Sequence, residues 1–186
     1  MKRLNYTSAP IISLLTICLM ILASATPAMA KAAKCPHVEK VTIKAPPSIV
    51  YNTILNLRKS YPENVKELSR TSEHCLVEET FHVLPVIGKT KCVYKETYKP
   101  HKEVSYKMVE SPRFKAFEGR WTLTPVNGGK HTNLALSSYI DPGINLPFAK
   151  QITKIETKKG IKKRLTAVKK KSEKRQLAMS NNQKTQ

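Results

Sequence analysis

Residues 116–140, AFEGRWTLTPVNGGKHTNLALSSYI, contain two alternating runs on either side of a turn. Side chains of a strand alternate between the two faces of a sheet, so each run predicts a strand with one apolar face. The intervening Asn127-Gly128-Gly129 favours the positive φ angles of a tight hairpin. The segment therefore predicts an antiparallel hairpin that covers a core on one side. The apolar side chains that share the inward parity are Phe117, Trp121 and Leu123, then Leu134, Leu136 and Ile140.

The preceding chain predicts the elements that complete this sheet. His37–Lys44 alternates as a first strand, and Pro46-Pro47-Ser48 opens a helix. Tyr61-Pro62-Glu63 ends that helix, and Val65 and Leu68 predict a second short helix or turn. From there the apolar period becomes two, which is typical of an antiparallel meander. Six strands are predicted, at about 69–72, 76–84, 89–99, 103–109, 114–126 and 130–140.

A long helix is predicted after Leu146-Pro147, ending at about Arg175, and the polar residues 176–186 are predicted to be a disordered tail. The predicted class is α+β, with a curved antiparallel sheet of about seven strands wrapped on this helix and two short helices after the first strand. One domain would occupy residues 31–175. The helix carries two apolar stripes, formed by Phe148, Ile152 and Ile155 and by Ile161, Leu165 and Val168.

Four pieces of the chain carry a family resemblance: Pro46-Pro47-Ser48-Ile49-Val50-Tyr51, Tyr61-Pro62, Gly119-Arg120-Trp121-Thr122-Leu123-Thr124-Pro125 with Gly128-Gly129, and Asp141-Pro142-Gly143 before Leu146-Pro147. In this order the chain resembles the START and birch-pollen-allergen superfamily, in particular its polyketide cyclase/dehydrase and coenzyme-Q-binding-like group. The resemblance implies a helix-grip fold with an apolar cavity between the sheet and the last helix. Members bind or transfer lipids, sterols or quinones, and some are cyclases or dehydratases.

The alternation, combined with the cavity that the resemblance implies, predicts a set of ligand-binding residues. Glu96 either orients a ligand or acts as a general acid, or else it turns outward or pairs with a lysine. The tyrosines and Trp121 either contact a ligand or pack in the core. We find no metal-ligand spacing and no catalytic motif, so the sequence favours a binding protein without a cofactor; a cyclase or dehydratase is the alternative. The predicted residues are Tyr94, Glu96, Tyr98, Tyr106, Met108, Phe117, Trp121, Leu136, Phe148 and Ile152.

The N-terminus has the form of a secretory signal. Lys2-Arg3 precedes an apolar stretch, and Ala28-Met29-Ala30 fits a cleavage site. We therefore expect residues 1–30 to be removed and the mature protein to be periplasmic or secreted. An oxidising compartment permits one disulfide, and the sequence does not choose its pair. The candidates are Cys35, Cys75 and Cys92.

The chain is strongly basic, with 33 Lys and Arg against 13 Asp and Glu and a net charge of +20. Much of this charge lies on the predicted last helix, which indicates either docking on an anionic membrane or a solvated outer face. Nucleic acid is disfavoured, because the expected export and the absence of aromatics among the lysines argue against it. We expect a monomer that binds an apolar small molecule such as a lipid or quinone. The candidate membrane-surface residues are Lys158, Lys162, Lys163, Arg164, Lys169 and Lys170.

Overall fold

The computed structural model describes residues 36–84, 88–144 and 147–184. The predicted signal segment and Cys35 lie outside these residues. Seven antiparallel strands form one sheet in the order β1-β7-β6-β5-β4-β3-β2. The strands are β1 (His37–Ile43), β2 (Val65–Arg70), β3 (His74–Leu84), β4 (Gly88–Lys99), β5 (Glu103–Glu110), β6 (Ala116–Val126) and β7 (His131–Asp141).

Within the described residues, three helical segments accompany the sheet, and they confirm the predicted class and helix-grip architecture. Helix α1 (Pro47–Leu57) begins after Pro46 and continues into a 3₁₀ helix (Arg58–Ser60). Helix α2 (Ala149–Lys184) has 36 residues and packs against β1, β7 and α1. None of the described helices combines the length and the apolar composition needed to cross a bilayer.

The β6–β7 hairpin forms where the sequence predicts it. Asn127, Gly128 and Gly129 all have positive φ angles, and the Lys130 N–H donates to the Asn127 carbonyl at 3.2 Å. The predicted inward parity is also correct, because Trp121, Leu123, Leu134 and Leu136 are all buried in one core cluster. The alternation therefore predicts correctly which face of β6 points to α2.

Two element boundaries are corrected by the structure. The predicted helix or turn at Val65 and Leu68 is wrong, since these residues belong to β2, and the predicted strand 69–72 covers only the end of that strand. The register between β2 and β3 shifts at Leu68, so a bulge interrupts the alternation there. The helix predicted to end at Arg175 continues to Lys184, so the predicted tail is helical over its described part.

Candidate ligand-binding site

A cavity of about 270 Å³ lies between the sheet and the helices. Its apolar wall includes Ile54 and Leu57 from α1, Phe81 from β3, Trp121 from β6 and Ala167 from α2. Tyr61 and Lys163, which are both exposed, also line it and mark its opening to solvent. The cavity is thus bounded by side chains from every layer of the fold.

One charged cluster in the cavity joins the sheet to α2. Glu79 on β3 is 8% exposed, accepts a hydrogen bond from the Tyr94 hydroxyl at 2.9 Å, and forms an ion pair with Arg164 on α2. The negative charge of Glu79 raises the pKa of Arg164, so this guanidinium stays protonated. Burial, reinforced by the same charge, raises the pKa of Tyr94 well above its usual value. Tyr94 therefore keeps its proton and acts as a donor.

A second cluster lies beside the first, where α1 meets β4. The Arg58 guanidinium lies 3.0 Å from a carboxylate oxygen of Glu96, and it donates to the Tyr98 hydroxyl at 3.2 Å. The Tyr98 hydroxyl in turn donates to Glu96 at 3.0 Å. Burial lowers the pKa of Arg58, but the Glu96 charge and the Tyr98 bond raise it by more. Glu96 thus faces inward and is paired with an arginine, whereas the sequence offered a lysine as its partner.

The ten predicted ligand-binding residues separate into three groups. Tyr94, Glu96 and Trp121 line the cavity. Another five do not line it. Tyr106, Phe117 and Leu136 belong to the core cluster, and Tyr98 and Met108 are partly buried and pack against that cluster. Phe148 is 73% exposed and Ile152 is half-buried, and neither lines the cavity.

Tyr106 packs in the core through its neighbours on the sheet. Its ring centroid lies 4.9 Å from that of Phe117 and 5.9 Å from that of Tyr94. Burial raises the pKa of Tyr106 to about 12, so its hydroxyl stays protonated. The ring lies over Gly119, where an added Cβ would collide with it.

Four charged residues that line the cavity were not in the predicted ligand-binding set: Arg58, Glu79, Lys163 and Arg164. Glu79 shares the strand parity of the buried Cys75, Val77 and Phe81, so alternation along β3 identifies it as inward-facing. Arg164 was predicted to lie on the membrane surface. This is corrected, since it lies three positions after Ile161 on the buried side of α2 and pairs with Glu79.

The other five predicted membrane-surface residues remain on the outer part of α2. Lys158, Lys162, Lys163 and Lys170 are exposed, and Lys169 is half-buried with Glu173 at 3.9 Å. The apolar stripe between them is not available to a membrane, because Ile161, Leu165 and Val168 are 3%, 4% and 0% exposed. Within the described residues, no group of three or more His, Cys, Asp or Glu side chains is arranged to hold a metal ion.

The fold is also that of a known protein family. Residues 37–173 match the family described as polyketide cyclase / dehydrase and lipid transport. The chain belongs to this family. The match extends from β1 into the second half of α2, and so contains both charged clusters of the cavity. No match was found among curated protein sequences.

Solved structures of other proteins share the fold of this chain. The Zhui aromatase/cyclase from Streptomyces sp. R1128 is similar with a TM-score of 0.65 and 17% identity, over 77% of this chain and 96% of that one. A START superfamily protein from Mycobacterium smegmatis is similar with a TM-score of 0.53 and 14% identity, over 75% and 95% of the two chains. At these identities the similarity establishes the shared fold, which is a ligand-binding one in this family.

Proposed function

We propose that this protein is an exported carrier that binds a lipid or another apolar molecule in the cavity between the sheet and α2. The observation that carries the proposal is the cavity itself, whose apolar wall ends in two ion-paired clusters. Ligand sites combine a mostly apolar lining with a few fixed polar groups that orient the ligand. Ile54, Phe81 and Trp121 form the apolar lining here, and Arg58 and Arg164 are the fixed polar groups.

The cavity volume limits what the site encloses. Sites for small molecules span roughly 300–1,000 Å³, so about 270 Å³ lies just below this range. A compact apolar group fits inside, while a longer chain would leave through the opening between Tyr61 and Lys163. A lipid or quinone would therefore be held by one end. Arg164 favours a ligand whose enclosed end accepts hydrogen bonds, such as a carbonyl or a carboxylate.

The protonation of the cluster favours binding over acid–base chemistry. Arg164 and Tyr94 both hold their protons, because the Glu79 charge raises the pKa of the first and burial raises that of the second. Groups held in this way orient a polar atom but do not exchange protons with it near neutral pH. A cyclase or dehydratase is the second candidate, because Glu79 and Glu96 are carboxylates on the cavity wall.

Native mass spectrometry of protein purified from its native host tests the carrier proposal. We expect a mass excess that is lost on collisional activation. Ala167→Trp should abolish this excess, because Ala167 lines the cavity, whereas Ala178→Trp should retain it, because Ala178 is an exposed residue of the same helix. A protein that stays free of ligand after incubation with a lipid and quinone extract would contradict the proposal.

A separate arm distinguishes the carrier from the enzyme. Glu96→Gln removes a carboxylate and keeps the shape of the side chain. If the protein is a carrier, the bound molecule should have the same mass in this variant and in the parent. Accumulation of a molecule whose mass differs from that of the parent's ligand by one water would instead favour a dehydratase.

Export is the remaining part of the proposal and has its own test. Cell fractionation followed by intact-mass measurement should find the protein outside the cytoplasm, beginning at Lys31. A cytoplasmic protein that retains residues 1–30 would refute export while leaving the cavity experiments unaffected.

A further inference from the structure

The beginning of α2 exposes apolar side chains that the core does not use. Phe148 immediately precedes the helix and is 73% exposed, and Ile155 is 53% exposed. Ile152, one turn after Phe148, is half-buried. We call Phe148, Ile152 and Ile155 the apolar tip. It differs from the later stripe of the same helix, which is buried against the sheet.

The backbone holds Phe148 in this position. Its φ angle is +66°, in the left-handed region that bulky residues rarely adopt. Its carbonyl accepts the hydrogen bond from the Ile152 N–H at 3.0 Å, so Phe148 lies at the start of the helical hydrogen-bond ladder. A strained backbone persists only where its surroundings impose it, and such positions concentrate at functional sites. The exposed ring thus belongs to the residue at which the backbone hydrogen bonding of α2 begins.

Lysines surround the apolar tip on the solvent side of the helix. Lys158, Lys159 and Lys162 follow Ile155 by three, four and seven positions, which places them on its face of the helix. All three are exposed, as is Lys154. The acidic neighbours are few: Glu156 contacts Lys159 at 2.8 Å, and Glu39 lies 4.0 Å from Lys158.

We propose that the apolar tip inserts into the interface of an anionic lipid bilayer while these lysines contact the lipid phosphates. Charge complementarity selects this partner, because the positive face of α2 matches the negative surface of such a bilayer. Lysine stems also lie along apolar surface while their ammonium groups reach outward, which suits the boundary between acyl chains and headgroups. A helix that lies on a membrane combines these two elements.

This inference is independent of what the cavity holds. Gly160 and Lys163, which follow the apolar tip on α2, line the cavity, so docking would bring the cavity close to the bilayer. Vesicles without added ligand test docking alone. A protein that docks but carries nothing, and one that carries a ligand but does not dock, give different results in the two sets of experiments.

Co-sedimentation with vesicles of phosphatidylcholine, with and without 30% phosphatidylglycerol, measures the effect. We expect binding to the anionic vesicles only, and its loss at high salt. The double variant F148S/I155S should bind at least tenfold more weakly. Leu177→Ser is the matched control, because Leu177 is a 65% exposed apolar residue near the other end of α2, and it should bind within twofold of the parent.

Two double variants that reverse charge at different places on α2 test the role of the lysines. K158E/K162E should reduce binding at least tenfold, and K174E/R175E, which changes two exposed residues farther along α2, should reduce it less. If both double variants lost vesicle binding equally, binding would depend on net charge alone, and the proposed docking site would be wrong. A double variant F148S/I155S that binds like Leu177→Ser would also overturn it, as would equal binding to neutral vesicles.

A fluorescent reporter shows whether the tip inserts. Phe148→Trp adds an exposed indole to a protein whose own Trp121 is 5% exposed. We expect its emission to shift to the blue with anionic vesicles and to be quenched by brominated acyl chains. Binding without shift or quenching would refute insertion. The replaced side chains are exposed, so circular dichroism and thermal unfolding should match the parent in every variant.

Discussion

The two halves of the sheet present different chemistry to the same helix. On β7, Leu134 and Leu136 are 0% and 1% exposed and belong to one apolar cluster with Leu165 and Val168 of α2. On β3, the corresponding inward surface carries Glu79, which meets α2 through an ion pair. Near β7, α2 is thus held by apolar packing, whereas near β3 an ion pair that borders the cavity is added to that packing.

This difference separates stability from binding. Apolar burial near β7 stabilises the fold without regard to any ligand, at roughly 25 cal/mol per Å² of area removed from water. A buried ion pair adds little net stability, because desolvation offsets most of its attraction. If the protein is the proposed carrier, the charged half positions the ligand, while the apolar half keeps the helix on the sheet.

The largest effect is expected in the apolar half. Leu136→Ala leaves a void in a fully buried position and should lower the free energy of unfolding by about 3 kcal/mol, as measured by urea denaturation. Ligand retention by the folded fraction should not change. Leu177→Ala at an exposed position is the control. If Leu136→Ala lost the ligand under conditions in which the variant is fully folded, the apolar half would also act in binding, which would contradict the contrast between the two halves.

A smaller effect is expected at the ion pair that joins β3 to α2. Arg164→Met leaves the Glu79 carboxylate without its partner and should cost about 2 kcal/mol, less than for a fully buried pair because Arg164 is 37% exposed. The double variant E79L/R164M should recover most of this loss, since it removes both charges. Both variants should lose the ligand. If the double variant is no more stable than Arg164→Met, the pair is not energetically coupled.

The smallest effect is expected at the exposed edge strand β2, where Glu67 accepts two hydrogen bonds from Arg70, at 2.5 and 2.6 Å. These bonds lower the pKa of Glu67 from 4.5 to about 2. The stabilisation is therefore fully present above about pH 4.5 and is lost as the pH falls towards 2. It should amount to less than about 1 kcal/mol for such a surface pair. Urea midpoints from pH 2 to 5 should fall less steeply for Glu67→Gln; parallel curves would contradict this.

The sheet and its inward face were predictable from local sequence. Strand alternation and the turn at Asn127-Gly128-Gly129 act between neighbours in the chain, so the β6–β7 hairpin was predicted to within about two residues at each end. Strand β2 was not, because the bulge at Leu68 breaks its alternation and only pairing with β3 defines it. The end of α2 was predicted too early because the residues after Arg175 are polar. No Gly or Pro follows Gly160 to stop the helix, so it continues.

The cavity was predicted only in part, because its chemistry arises from distant residues. Arg164 and Glu79 are 85 positions apart, and nothing local to either one identifies the other. Parity along β3 would have placed Glu79 inside, and helical spacing from Ile161 would have placed Arg164 towards the sheet. The positive φ of Phe148 has no sequence signal, since such angles are typical of Gly and Asn.

Cys75 and Cys92 are both buried with free thiols. Burial raises the pKa of the Cys92 thiol to about 12, so this thiol keeps its proton near neutral pH. Burial also raises the pKa of Cys75. Disulfide exchange proceeds through the thiolate, so both sulfurs in the folded chain react slowly with oxidants. An oxidant would therefore cross-link these two thiols faster in the unfolded chain, where burial no longer protects them, than in the native fold.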